Sequence, residues 1–212
     1  MRGNLGEGRA WSEAALAQAE ATRQTTVHAK VLNGTGTLAG MQSDYASAKA
    51  YFEQSLAIYR EVEDRRGIAV SLNNLGFVAK HQGDYASARA YHEQSLETRR
   101  DIGDRQGIAC SLEAFGGLEF IAISTGRVLA ETADASDRTR RNLTRAARLW
   151  GAAHALRKRI NAPLKPMDQE EQERNTAVAR ERLGEADWTT AWTEGRTMLM
   201  EQAIAYALED AA

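Results

Sequence analysis

The sequence predicts an all-α fold of stacked antiparallel helix pairs, and three observations carry that prediction. First, "SDYASAKAYFEQSLAIYREVEDRRGIAVSL" from Ser43 returns as "GDYASARAYHEQSLETRRDIGDRQGIACSL" from Gly83, a period of 40 residues with about half of the positions identical. A fixed period in the 20–50 range is the signature of stacked supersecondary units. Second, the only prolines are Pro163 and Pro166, and Ala, Glu, Arg, Leu and Gln dominate elsewhere, all good helix formers. Third, no segment alternates apolar and polar residues between turn signals, as a half-buried strand would.

Each unit reads as two helices. The first runs from about Gly67 to Gln82, with Ile68, Leu72, Leu75 and Val78 or Ala79 at helical spacing. "QGD" ends it, Gly83 supplying the turn and Asp84 an N-cap. The second helix runs from Tyr85 to about Ile102 and aligns Tyr85, Ala88, His92, Ser95 and Leu96 on one stripe. A fainter copy begins at Gly3, with Leu5, Trp11 and Leu16 in the places of Tyr45, Tyr51 and Leu56. A third first-helix starts near Gly107, and "TADASDRTRR" reads as a mobile loop inside an insertion near residues 124–140. "LTRAARLWGAAHALRKRI" then resumes the second-helix pattern as Ala146-x3-Trp150-x2-Ala153. Beyond "NAPLKP" the sequence predicts a charged helix from Met167 to Leu183 opened by Asp168. It also places Trp188 and Trp192 one turn apart, and a last helix over Met198–Leu208 that buries Leu199, Ala203, Tyr206 and Ala207.

These features resemble the tetratricopeptide repeat, which pairs Leu-Gly in its first helix with Ala-x3-Phe-x2-Ala in its second. Here that reads as Leu75-Gly76, Ala48-x3-Phe52-x2-Ser55 and Ala88-x3-His92-x2-Ser95, with about six residues more per repeat than the usual 34. The resemblance implies a right-handed superhelix of about three and a half repeats over residues 1–160, finished by a helical cap over 161–212. "AARLWGAAHALRKRINAPLKP", "AVARERLGEADWTTAWTEGRTM" and "EQAIAYALED" look like the C-terminus of bacterial STAND ATPase regulators of the LuxR and AfsR types. That resemblance implies a sensor or interaction arm working on an ATPase switch. "GNLGEGRAW" would then lie inside a second helix whose partner is upstream, leaving an apolar face for a fragment boundary, a homodimer or another chain.

Composition narrows the function. Net charge is −2, which provides no global basic field for nucleic acid or an anionic membrane. The single cysteine, Cys110, excludes an internal disulfide and fits a reducing compartment, so the expected location is the cytoplasm. The N-terminus lacks a signal-peptide core, and no run is expected to reach the ~20 apolar residues of a membrane span. No G-x-x-x-x-G-K-[ST] occurs to hold a nucleotide, and no G-x-S-x-G elbow. His28, His81, His92 and His154 do not pair at ligand spacing, so neither a metal nor a cofactor is expected. Cys110 reads as an inert half-buried thiol. The run Arg138, Arg140, Arg141, Arg145 and Arg148 could meet phosphates, but local pairing with Glu131, Asp134 and Asp137 is favoured over nucleic-acid binding. Trp188 and Trp192 could anchor a partner or pack the last helices.

The expected function is therefore non-catalytic binding of a protein or peptide. The family's inward, concave positions fall on Asn33, Thr37 and Met41 in one repeat and on Asn73, Phe77, Lys80 and His81 in the next. Glu113, Gly117 and Phe120 occupy them in the third. Amides at Asn33 and Asn73 could pair with an extended backbone, or these residues could merely cover helix faces. A dimeric adaptor and a small-molecule inducer sensor remain alternatives.

Overall fold

The computed structural model describes residues 2–18, 25–124 and 133–209, and ten α-helices and no strand are found among them. The chain divides at Gly103/Asp104 into two compact units. Unit 1 contains α1 (Arg2–Gln18), α2 (Thr26–Met41), α3 (Tyr45–Glu61), α4 (Arg65–His81) and α5 (Tyr85–Asp101). Unit 2 contains α6 (Arg105–Ser124), α7 (Ala133–Ile160), α8 (Pro166–Leu183), α9 (Glu185–Thr197) and α10 (Met200–Leu208).

In unit 1 the 40-residue period resolves into two helices of nearly equal length, because each turn uses one recipe. An aspartate N-cap accepts a hydrogen bond from the backbone N–H three residues on: Asp44 from Ser47 at 3.1 Å, Asp64 from Gly67 at 2.9 Å, and Asp84 from Ser87 at 3.1 Å. The residue before each cap sits in the left-handed region. It is Gly83 in one turn (φ 79°), as expected, but Ser43 (φ 64°) and Glu63 (φ 54°) in the others. An L side chain pays about 1–2 kcal/mol there. Glu63→Gly is accordingly expected to stabilise the protein by roughly 0.5–1 kcal/mol, read as a higher urea midpoint at unchanged slope.

Each first helix offers a glycine to a large ring on its partner. A Cβ on Gly36 would lie 2.7 Å from the Phe52 ring, and one on Gly76 would lie 2.6 Å from the His92 ring. In unit 2 Gly116 faces the Trp150 indole in the same way. The small residue lets the backbone approach and the ring fills the gap, burying Phe52, His92 and Trp150 to 2% exposure or less. Around Phe52 the core collects Ala39, Ala48, Leu56, Leu72, Leu75 and Val78. Second-helix serines tie the pairs together, Ser55 Oγ donating to the Ala29 carbonyl and Ser95 Oγ to that of Ala69, both at 2.8 Å.

His92 makes this core sensitive to acid. Burial, and then the nearby charges of Lys80 and Arg99, lower its pKa from the ordinary 6.5 to about 3. The unfolded chain takes up this proton below about pH 6.5 while the fold does not. Stability is therefore full above pH 6.5 and falls as the pH drops toward 3, at up to about 1.4 kcal/mol per pH unit for this group. His92→Phe, which copies the residue at Phe52, is expected to flatten that part of the pH–stability curve. A curve of unchanged slope would show that other groups cause it.

Unit 2 departs from the expected elements in four places. α7 begins at Ala133, so most of the segment expected as a mobile loop is helix; residues 125–132 lie outside the described residues. α8 opens with Lys165 as N-cap and Pro166 in the first turn, so Asp168 is a first-turn acid and not the cap. The last helix starts at Met200, and Leu199, expected to be buried, is the N-cap and 64% exposed, while Tyr206 is only half-buried. Finally, Arg105–Ile123 does reach the length and apolar composition of a membrane span, against expectation. Half of that window is buried in the protein, and its two acids are engaged, Glu113 by Arg157 and Glu119 by Arg145.

Candidate binding surface

On unit 1 the outer faces of α2 and α4 carry the exposed predicted residues. Thr37 is exposed, Met41 is 44% exposed at the end of α2, and Phe77 is 38% exposed on α4, its ring 3.8 Å from where a Cβ on Gly40 would stand. The Lys80 ammonium lies 5.4 Å from the centroid of the Phe77 ring, within cation–π range. His81 packs on Phe77 with centroids 4.3 Å apart and stacks on Tyr45 at 5.0 Å, and the Tyr45 hydroxyl is 3.2 Å from His81 Nδ1. The structure therefore joins Phe77, Lys80 and His81 in one patch and adds Tyr45, which also packs on the Phe52 core as its stripe position implied. Recurrence of that tyrosine as Tyr85 was the only sequence signal for it. The patch offers one exposed apolar anchor, one cation and a stacked ring pair.

The asparagines do other work. Asn33 is 9% exposed, and its amide donates to Ser55 Oγ and Ser71 Oγ, both at 2.7 Å, while its oxygen accepts from Asn74 Nδ2 at 2.7 Å. Two donors and the acceptor are engaged, so the amide expected to meet a ligand backbone is built into the core. Asn73 is half-buried and accepts from Arg99 Nη1 at 3.4 Å.

The third set of predicted residues belongs to unit 2. Glu113 is held by Arg157 through two oxygens, at 2.5 and 2.7 Å. Burial pushes the Glu113 carboxyl above its usual range while Arg157 opposes the shift, and Glu113 in turn raises the guanidinium pKa. Arg157 Nη2 is also 3.2 Å from Cys110 Sγ. Phe120, at 8% exposure, packs on Trp150 in the core and is no surface residue; Gly117 is half-exposed.

The basic run is likewise redirected. Three of its arginines pair with other helices: Arg140 with Asp187 at 2.7 Å, Arg145 with Glu119 at 2.9 Å and Arg148 with Glu194 at 2.7 Å, while Glu131 and the Asp134 side chain, expected as local partners, lie outside what the structure describes. Of the three only Arg145 is buried, where α7 packs against α6 and α10. Of the tryptophan pair, Trp188 is 7% exposed in the core, and Trp192 is half-buried and stacked on it at 5.5 Å. Among the described residues no group of three or more His, Cys, Asp or Glu gathers as a metal site would require.

Paired helices joined by capped turns, with a glycine-to-ring contact in each pair, define a helical-repeat protein. The tetratricopeptide repeat family model matches residues 1–61 and 67–122, and the chain belongs to that family. Its repeats are protein-interaction scaffolds. Among solved structures the chain is similar to the crystal structure of BtubC (BKLC) from P. vanneervenii, at 19% identity and a TM-score of 0.60, over 96% of this chain and 74% of that one. That likeness speaks to the fold alone. No curated protein matches the sequence significantly.

Proposed function

We propose that the chain is a non-catalytic binding module whose α2–α4 face holds an extended segment of a partner protein. In this reading it serves as the sensor or interaction arm of a bacterial signalling or transcriptional regulator in the cytoplasm. The observation that carries the binding site is exposed Phe77 beside the Lys80 ammonium, with Met41 also exposed at the end of α2, on the first helices of a family that binds proteins. Such a patch suits an apolar side chain next to an acidic one. The regulator setting rests on the resemblance of the C-terminal segments. The lone thiol Cys110 fits a reducing compartment.

A random-peptide display library panned on the protein tests the site. Selected peptides should pair an apolar residue with an acid and lose capture on a Phe77→Glu, Met41→Glu variant whose circular dichroism is unchanged. Equal capture by that variant would remove the patch from consideration. A second reading, homodimerisation through the first repeat, is favoured by Trp11, 79% exposed on α1. Light scattering decides it, since a monomer at all concentrations excludes the dimer.

A further inference from the structure

Unit 2 has a half-open cavity of about 650 Å³ between α7 and α8, within the range of small-molecule sites. Its two walls do not suit each other. The α7–α9 wall is aromatic, with Trp150, His154 and Trp192, whose rings adjoin at 5.6 Å between His154 and Trp192. The α8 wall is Gln169, Gln172, Glu173 and Thr176, one helical stripe that is polar throughout. A helix that simply packs on its neighbours turns an apolar stripe inward. α8 does so only near its C-terminal end, where Ala179 and Leu183 are buried. Along the rest of the cavity wall Gln169 and Thr176 donate within the helix, to the Glu173 carboxylate and carbonyl, and Gln172 and Glu173 line the open space opposite the aromatic surface.

The charges at the cavity divide into a closed pair and an open one. At the base Arg157 is neutralised by Glu113 and also donates to the Ala162 carbonyl at 3.1 Å, fixing the loop that closes one end. At the rim, Lys158 on α7 and Glu173 on α8 are exposed, and neither has an ion-pair partner among the described residues. The Glu173 carboxylate accepts from the neutral Gln169 amide at 2.8 Å, and its backbone carbonyl accepts from Thr176 Oγ1 at 3.0 Å. A purely anionic ligand would meet Glu173 and a purely cationic one would meet Lys158. A molecule with one charge of each sign satisfies both. Burial, then Arg196 and Lys158, lower the His154 pKa, so its ring stays a neutral part of the wall near pH 7. A second cavity of about 500 Å³ shares Glu173, Thr176 and Trp192 and leaves room for a larger ring system.

We propose that this cavity binds a planar aromatic molecule bearing both a negative and a positive group, of which an aromatic amino acid is the simplest form. The ring lies on the Trp192–His154 wall, the anionic group meets Lys158 and the cationic group meets Glu173. This site is independent of the α2–α4 face.

Isothermal titration of the full chain with L-phenylalanine, L-tyrosine and L-tryptophan tests the proposal. Phenylacetate, phenethylamine and L-leucine are the probes lacking the cation, the anion and the ring. At least one aromatic amino acid should bind, and each deficient probe should bind about tenfold more weakly, the scale of one charge-assisted hydrogen bond. Lys158→Gln and Glu173→Gln, both at exposed positions, should each lose about tenfold for the intact probe. Trp192→Ala should abolish binding. Absence of heat with all three amino acids overturns the proposal, as does L-leucine binding equal to theirs. Affinity unchanged in both Lys158→Gln and Glu173→Gln overturns it too, whether or not the Trp192 variant folds.

Discussion

Gly195→Ala is expected to destabilise the protein by about 3 kcal/mol or more, an overpacking cost at the high end because the obstacle is backbone. α7 and α9 cross where Gly151 and Gly195 face each other. A Cβ on Gly195 would overlap the Arg148 carbonyl, and one on Gly151 would overlap the Trp192 carbonyl oxygen. Neither obstacle is the end of a flexible side chain, so the helices must move apart and loosen Trp150, Trp188 and Ala191 between them. Gly151→Ala should cost a similar amount. The double variant should cost less than the sum, since the first separation already makes room for the second. Gly34, on α2 with nothing within 4 Å of its would-be Cβ, is the control, and its alanine variant should gain about 0.5–1 kcal/mol from helix propensity. Urea unfolding followed by tryptophan fluorescence reads unit 2 well, because three of the four tryptophans lie there. A Gly195→Ala variant as stable as the parent would refute the crossing.

Arg145→Ala is expected to cost about 3–5 kcal/mol, the scale for removing one partner of a buried ion pair. Arg145 and Glu119 are 9% and 6% exposed, and the guanidinium Nε donates to the carboxylate at 2.9 Å. The other arm, Nη2, donates to the carbonyls of Tyr206 at 2.7 Å, Ala207 at 3.2 Å and Glu209 at 2.7 Å, at the C-terminus of α10. One residue thus neutralises a buried acid and satisfies the carbonyls that a helix end leaves open. The planar fork spans both tasks and a point charge cannot, so Arg145→Lys should recover little. Arg145→Met with Glu119→Leu should be markedly more stable than Arg145→Ala alone, because no charge is then stranded. Equal stability of the two would show that the cost comes from the freed α10 carbonyls and not from Glu119.

How far the sequence could be read depended on how local each cause was. The turns "QSD", "VED" and "QGD" carry their own N-cap, so helix ends fell within a residue or two of expectation. The Ala-x3-aromatic pattern pointed to Phe52, His92 and Trp150 because each ring answers a glycine one helix away. Asn33 and Asn73 looked equivalent by register, but their partners differ. Ser55, Ser71 and Asn74 take up the first amide, whereas Arg99 stands at the second. Spacing shows the face a residue occupies and not what waits across from it. The partners of Arg140, Arg145 and Arg148 were hidden for the same reason, since their carboxylates arrive from positions 26 to 47 residues away.

By itself, then, the sequence determined the helices of the repeats, the period, the pairing of α2 with α3 and α4 with α5, and membership in a repeat family. Each follows from neighbours within a turn or from one repeat to the next. Only the tertiary structure decided which polar groups remain available. It closed Asn33 and Phe120 into the core, gathered Tyr45, Phe77, Lys80 and His81 in one patch, and set a polar stripe of α8 against the tryptophans of α7 and α9. Availability depends on what distant segments bring to a side chain, and burial and hydrogen bonding across helices settle it after the local pattern has done its part.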